Sequence, residues 1–384
     1  MRINTINIRA SQGFSLVELM VAALLSLIIL IGVVQIFLSN KHTYNAQEGL
    51  SRVQETGRFA LTFLGEPIRW AGYTGCGNLE RITVRNIAWD TTNDAPLAPN
   101  FGFAEAIVGY ENGGGWTAPT GTTVVRVAGT DVFEVQGMDP GSLTLLGNLA
   151  ADNANIQIEQ ASFAAGEALF ITDCQNADLF CATNVSQGGG KTTIAHASNC
   201  NEEWSETGGV VTKLGGTNRL SKAYQDDASV ARFITATYFI GVDTSLPAAD
   251  QVPTLYSQIN GAAPQELVEG VRDMQLLFGV DSNGDDRIVD QYLAADNGYF
   301  GTADNWGQVV SVRVGIIAES PTDALAEDIT VAYQMPIAAN ATVSPANQSS
   351  VTYNVANQTA TFTSDLRRMR QSFNTTFALR NRLP

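Results

Sequence analysis

The chain has 384 residues, 45% hydrophobic and only 16% charged, with a formal net charge of −16. That composition excludes a disordered chain, and the length is enough to bury a substantial core. The charge is uneven: residues 73–365 hold 11 basic and 34 acidic side chains, whereas 366–384 hold five arginines and no acid. An acidic body repels phosphates, so no direct nucleic acid binding is expected. The tail arginines are expected to pair with the chain's own carboxylates.

Residues 1–13, MRINTINIRASQG, are polar and carry Arg2 and Arg9 without an acid. From Phe14 to Leu38 runs FSLVELMVAALLSLIILIGVVQIFL, in which Glu18 is the one charge. As a helix this stretch reaches about 37 Å, enough to cross the hydrocarbon core of a bilayer. The basic leader should stay cytoplasmic, which puts the rest of the chain on the far side. A secretory signal peptide has a shorter apolar stretch and a small-x-small cleavage site, which is absent after Leu38. A plain anchor leaves Glu18 unexplained, because a carboxylate there costs a few kcal/mol unless neutralised or paired.

The segment Gly13-Phe14-Ser15-Leu16-Val17-Glu18 resembles the type IV prepilin motif. The resemblance implies cleavage between Gly13 and Phe14 by a prepilin peptidase and methylation of the new amine on Phe14. It also implies an assembly role for Glu18. The physics agrees: one subunit's carboxylate can meet its neighbour's amine, which sets register and disfavours the isolated subunit.

Beyond the membrane the helix should continue, since Leu50, Val53, Ala60, Leu61, Leu64 and Ile68 fall near one face. Glycines after Pro67 break the pattern, giving a rod of roughly 80 Å over residues 14–70. Gly32 and Gly57 stand as candidate points of bending. After Gly77 the sequence reads as short β-branched runs: 122–129, 131–137, 154–160, 167–174, 230–243, 254–258, 271–281, 307–320 and 328–335. Residues 90–121 and 336–358 read as long surface loops. The expected organisation is a cleaved leader (1–13), a membrane or filament-core helix (14–38) and its amphipathic continuation (39–72). A periplasmic head (73–384) follows, with a candidate subdivision near 225. The fold class is α+β and type IV pilin-like, one long helix packed on a large, mainly antiparallel β head.

AGYTGC (71–76), ITDCQNADLF (171–180), FGVDSNGDDRIVDQY (278–292), VVSVRVGII (309–317) and FNTTFALRNRLP (373–384) resemble the PilW family of minor pilins. This implies a non-enzymatic protein that helps start a type IV pilus, at or near its tip. Implied partners are other minor and major pilins, prepilin peptidase, inner-membrane assembly machinery and a tip adhesin. The implied location is the inner membrane with a periplasmic head, then the pilus. Two alternatives stay open: a pseudopilin of a type II secretion system, and a membrane-anchored glycan-binding module or hydrolase.

The acidic run Asp281, Asn283, Asp285, Arg287 (through its carbonyl) and Asp290 places oxygen donors at the spacing that opens a calcium loop. Asp286 stands where the turn glycine belongs and Tyr292 where a bidentate Glu belongs, and Asn-Gly also signals a plain hairpin turn. A structural Ca²⁺ and a solvated turn both remain open; no cofactor is required. Outside the cytoplasm the four cysteines should form disulfides, and four permit three pairings. Because Cys76 and Cys174 lie in PilW-like segments, the expected pairs are Cys76–Cys174 and Cys181–Cys200. Zinc binding by Cys174, Cys181, His196 and Cys200 fits no compact module. SQGGGKTT (186–193) lacks the first glycine of a phosphate loop, and no G-x-S-x-G motif occurs. His196 and the tryptophans are assigned to structure rather than catalysis.

Overall fold

The computed structural model describes residues 15–75, 82–97, 106–207, 210–248, 250–284, 287–301, 303–337, 351–354, 356–363 and 367–382. Helix α1 (Leu16–Trp70) runs unbroken for 55 residues, about 80 Å. Glu18 in its first turn and Arg69 in its last both favour the helix dipole. Pro67 is tolerated near the end, where its carbonyl still accepts the N–H of Ala71 at 2.9 Å. Every buried residue of α1 lies between Gly49 and Ile68, so the helix is bare in its first half and seated in its second.

Ten strands carry the argument. They are β1 (Thr83–Asn86), β2 (Val132–Met138), β3 (Ala168–Thr172), β4 (Asn176–Cys181) and β5 (Ser229–Asp243). Then follow β6 (Thr254–Ile259), β7 (Gln265–Glu269), β8 (Val271–Val280), β9 (Val309–Asp323) and β10 (Arg368–Ala378). Among the described residues one ten-stranded sheet runs β1-β4-β3-β5-β6-β7, with β2 pairing β5. Only β1 and β4 pair parallel in it. The spine is β5, about 50 Å long. Its first residues pair with β3 and its later ones with β2 on one edge and β6 on the other. A second sheet places β8, β9 and β10 side by side, all antiparallel, with Gln291–Leu293 outside β8.

Both sheets and α1 close on one core. Ala60, Leu64 and Ile68 of the helix meet Phe133 and Val135 of β2, Met274 and Phe278 of β8, and Val314 and Ile316 of β9. A separate core, built on Ile158, Leu169, Ile171, Phe180 and Val230, lies away from α1. The fold is therefore α+β with one long N-terminal helix on a β-rich head, as the sequence pattern indicates.

Three local expectations need correction. Gly57 does not bend the helix; a Cβ there would overlap the ring of Phe373 on β10, so the glycine is where helix and strand approach closely. Residues 336–358 are not all loop, because Val351–Asn354 is a strand, paired with Thr359–Phe362 just beyond that range. Ala360 and Phe362 are held against Ile317, Met335 and Ile337, a burial that outweighs the weak strand propensity of an Asn- and Ala-rich segment. Residues 90–121 likewise contain a strand, Ile107–Tyr110, paired with β2.

Candidate functional site

The large hydrophobic side chains from Leu16 to Leu38 are 47–75% exposed. This part of α1 has a mean hydropathy of 2.8, with none of the window buried. An apolar surface of this length needs lipid or other helices around it. Glu18 stands exposed in the first turn, one turn inside the end of the bare stretch. Gly13 and Phe14 lie outside the described residues.

The seat of the second half is built largely by β10. A Cβ on Gly57 would overlap Phe373, one on Gly65 would overlap Phe377, and one on Gly49 would meet Ala324 Cβ at 2.5 Å. Glycine at 57 and 65 lets the strand's two rings lie on the helix backbone itself, and Gly49, eight residues before Gly57, admits Ala324 in the same way. Beyond β10, Asn381 Nδ2 donates to the carbonyls of Trp70 and Ala71, 3.2 Å each, and so satisfies the helix end. The guanidinium of Arg69 lies 4.9 Å from the centre of the Phe377 ring. The tail arginines do pair internally: Arg370 reaches Glu319 at 2.6 Å and Arg368 reaches the same carboxylate at 3.2 Å. Arg370 and Glu319 are 1% and 4% exposed, so this is a buried pair whose disruption would strand a charge.

Residues 237–381, from within β5 to just beyond β10, match the family model of the Type IV Pilus-assembly protein W, PilW. Residues 8–34 match the prokaryotic N-terminal methylation motif. Over residues 237–381 the chain is similar to PilW. No curated protein and no solved structure matches it. The PilW match covers β8, β9 and β10, which pack against α1, while β2, which also meets the helix, lies outside it. A methylation motif on a long apolar helix is consistent with inner-membrane anchoring and incorporation into a pilus.

Within this PilW-like region the acidic run folds as a self-contained loop. Asp281 is buried, and its two carboxylate oxygens accept the N–H groups of Gly284 at 2.8 Å and Arg287 at 2.9 Å. Asp290 accepts both the N–H and the hydroxyl of Ser282, which holds its carboxyl below the usual range. Asn283 is described, while Asp285 lies outside the described residues. These hydrogen bonds tie Asp281 and Asp290 to their own loop. Among the described residues, no group of three or more His, Cys, Asp or Glu side chains is arranged to hold a metal ion.

Cys181 and Cys200 form a disulfide, with Cα atoms 5.8 Å apart. Cys174 is disulfide-bonded, and Cys76, its expected partner, lies outside the described residues. His196 is buried edge-on to Phe180, with Nε2 3.0 Å from the Ala154 carbonyl, so it serves packing. The SQGGGKTT segment is the tip of a hairpin, Asn184–Gly188 paired with Lys191–Ala195. Trp89 and Trp306 are buried, the latter stacked on Phe300 at 4.1 Å.

The sequence reading missed a group of buried acids between the two sheets. Asp131 accepts the N–H groups of Asn112 at 2.9 Å and Leu276 at 2.8 Å, while its own N–H donates to Met274. It thereby ties the start of β2 to β8. Burial pushes its carboxyl well up, helped by Glu111, and burial also raises Asp273, which accepts the Tyr353 hydroxyl at 2.8 Å. Burial and nearby Asp296 push Glu111 up to about 7. Its Oε2 has no hydrogen-bond partner among the described residues. In sequence Glu111 sits beside Asn112 and Gly113, where a turn carboxylate is ordinarily solvated, and nothing in the residues flanking Asp131 and Asp273 marks them as buried.

Proposed function

We propose that the chain is a minor pilin that acts in the initiation and assembly of a type IV pilus, at or near the tip with other minor pilins. Its work is insertion, interlocking and contact rather than turnover. The observation that carries this reading is the single unbroken helix, bare and apolar with Glu18 in its first turn, then seated in the PilW-like sheet. In this reading prepilin peptidase cuts between Gly13 and Phe14, and Phe14 is then methylated. Glu18 meets a neighbour's amine, and the head is carried through the periplasm to the pilus. Intact mass and N-terminal sequencing of the mature protein test it. A chain beginning at N-methylated Phe14 supports the reading; an uncut start at Met1, or cleavage beyond Leu38, overturns it. Deletion should remove pili and leave enzyme secretion intact, whereas a type II secretion pseudopilin gives the reverse.

A further inference from the structure

Phe59 and Phe63 of α1 are 53% and 44% exposed although they lie in the seated half of the helix. With Thr56 they line one wall of a groove of about 530 Å³, whose other wall is β7 with Glu266 and Glu269. Thr56 Oγ1 donates to the Glu269 carbonyl at 3.4 Å and marks where the two walls meet. Glu55 stands on the helix side. β7 ends its sheet and pairs only with β6 among the described residues.

We infer that this groove receives the long helix of a different pilin-type subunit, one presenting an apolar stripe and a lysine or arginine. The inference rests on the assembly role proposed above. Three features select the occupant. Thr56, Phe59 and Phe63, at spacings of three and four, form one continuous side of α1 against which another helix can pack. The seam also lies on the helix whose bare half must be covered in a filament, so a helix laid along Leu16–Leu38 continues towards the groove. Charge decides the rest: Arg52, which also lines the groove, is already paired with Glu48 at 3.1 Å, while Glu55, Glu266 and Glu269 have no ion-pair partner among the described residues. Partial burial, then Glu269 and Asp243, pushes Glu266 up, the mark of carboxylates lacking a cation. A second copy is disfavoured, because its head brings the same excess of 34 acids over 11 bases across residues 73–365.

The test uses the full-length chain in piliated cells, with a photoreactive phenylalanine analogue replacing Phe63. The expected product is an adduct with another prepilin-processed subunit, mapped to that subunit's long helix. Combining Glu266→Lys with Glu269→Lys, both exposed strand positions, should lower adduct yield about tenfold at unchanged chain abundance. An adduct with a second copy, an adduct outside a helix, no adduct, or a yield indifferent to charge reversal each overturns the inference. Glu18→Ala runs in parallel. If it abolishes pili while the charge-reversed chain assembles and crosslinks like wild type, the groove assignment fails alone. If pili persist in Glu18→Ala, the assembly reading itself fails.

Discussion

Replacing Gly57 with alanine sets two effects of known sign against each other. In a helix interior alanine is favoured over glycine by about 1 kcal/mol, so propensity alone predicts stabilisation. Against this, the added methyl would stand 2.5 Å from Phe373 Cδ2, with two more ring atoms nearer still. Ordinary carbon contacts begin near 3.5 Å, so ring or strand must move about 1 Å. Overpacking of this kind costs about 1–3 kcal/mol, which leaves Gly57→Ala destabilised by up to about 2 kcal/mol. In a Phe373→Ala background the obstruction is gone, and the same substitution should stabilise by about 1 kcal/mol. Denaturant unfolding of the full chain in detergent, for wild type, both single variants and the double variant, measures the coupling. Equal effects of Gly57→Ala in the two backgrounds would refute the close-approach account of this glycine.

Glu111 predicts a pH dependence. Its folded-state carboxyl is raised from 4.5 to about 7, so between those values the folded chain holds a proton that the unfolded chain releases. The stabilising contribution is whole below about 4.5 and lost as pH rises through about 7, at most about 3 kcal/mol in all. Glu111→Gln should flatten the stability profile across that window relative to wild type; parallel profiles would sink the assignment. The Cys181–Cys200 bridge has a sequence separation of 19. By the chain-entropy relation Cys181→Ser with Cys200→Ser should cost about 3 kcal/mol, read as a lowered denaturation midpoint. An unchanged midpoint under oxidising conditions would show that the bridge does not constrain the unfolded chain.

The stalk was legible because hydropathy fixes it: nothing but a helix satisfies backbone groups through so long an apolar stretch. The strands β5, β8 and β9 were legible for a related reason, being rich in Val, Ile and Phe, which suit a pleated buried surface. β10 was not, since RMRQSFNTTFA shows neither alternation nor an apolar run. Its place depends on β9 alongside and on three helix glycines over 300 residues away. Gly57 shows the limit plainly. A glycine in a helical run looks the same whether it bends the helix or admits a partner's ring, and only the neighbour tells which. The acids Glu111, Asp131 and Asp273 fail in the same way, because burial is a property of the assembled sheets. The bare apolar stretch of α1, with Glu18 in its first turn, was readable from the sequence. The exposed Phe59 and Phe63 were not, since a phenylalanine beside a buried stripe gives no sign of facing outwards.

The seat that β10 provides for α1 joins an early segment of the chain to a very late one. Gly57 meets Phe373, and the helix end is satisfied by Asn381. During synthesis the helix can enter the membrane while the strand that covers its outer half is still unmade. Until Arg368–Ala378 has been made and has paired with β9, that helix face stays uncovered and the main core stays open. A chain cut short before Arg368 would therefore present a long helix with an unfinished head, a state that proteases can recognise. Placing the seat more than 300 residues after Gly57 makes synthesis of Arg368–Ala378 a condition for a rigidly held helix.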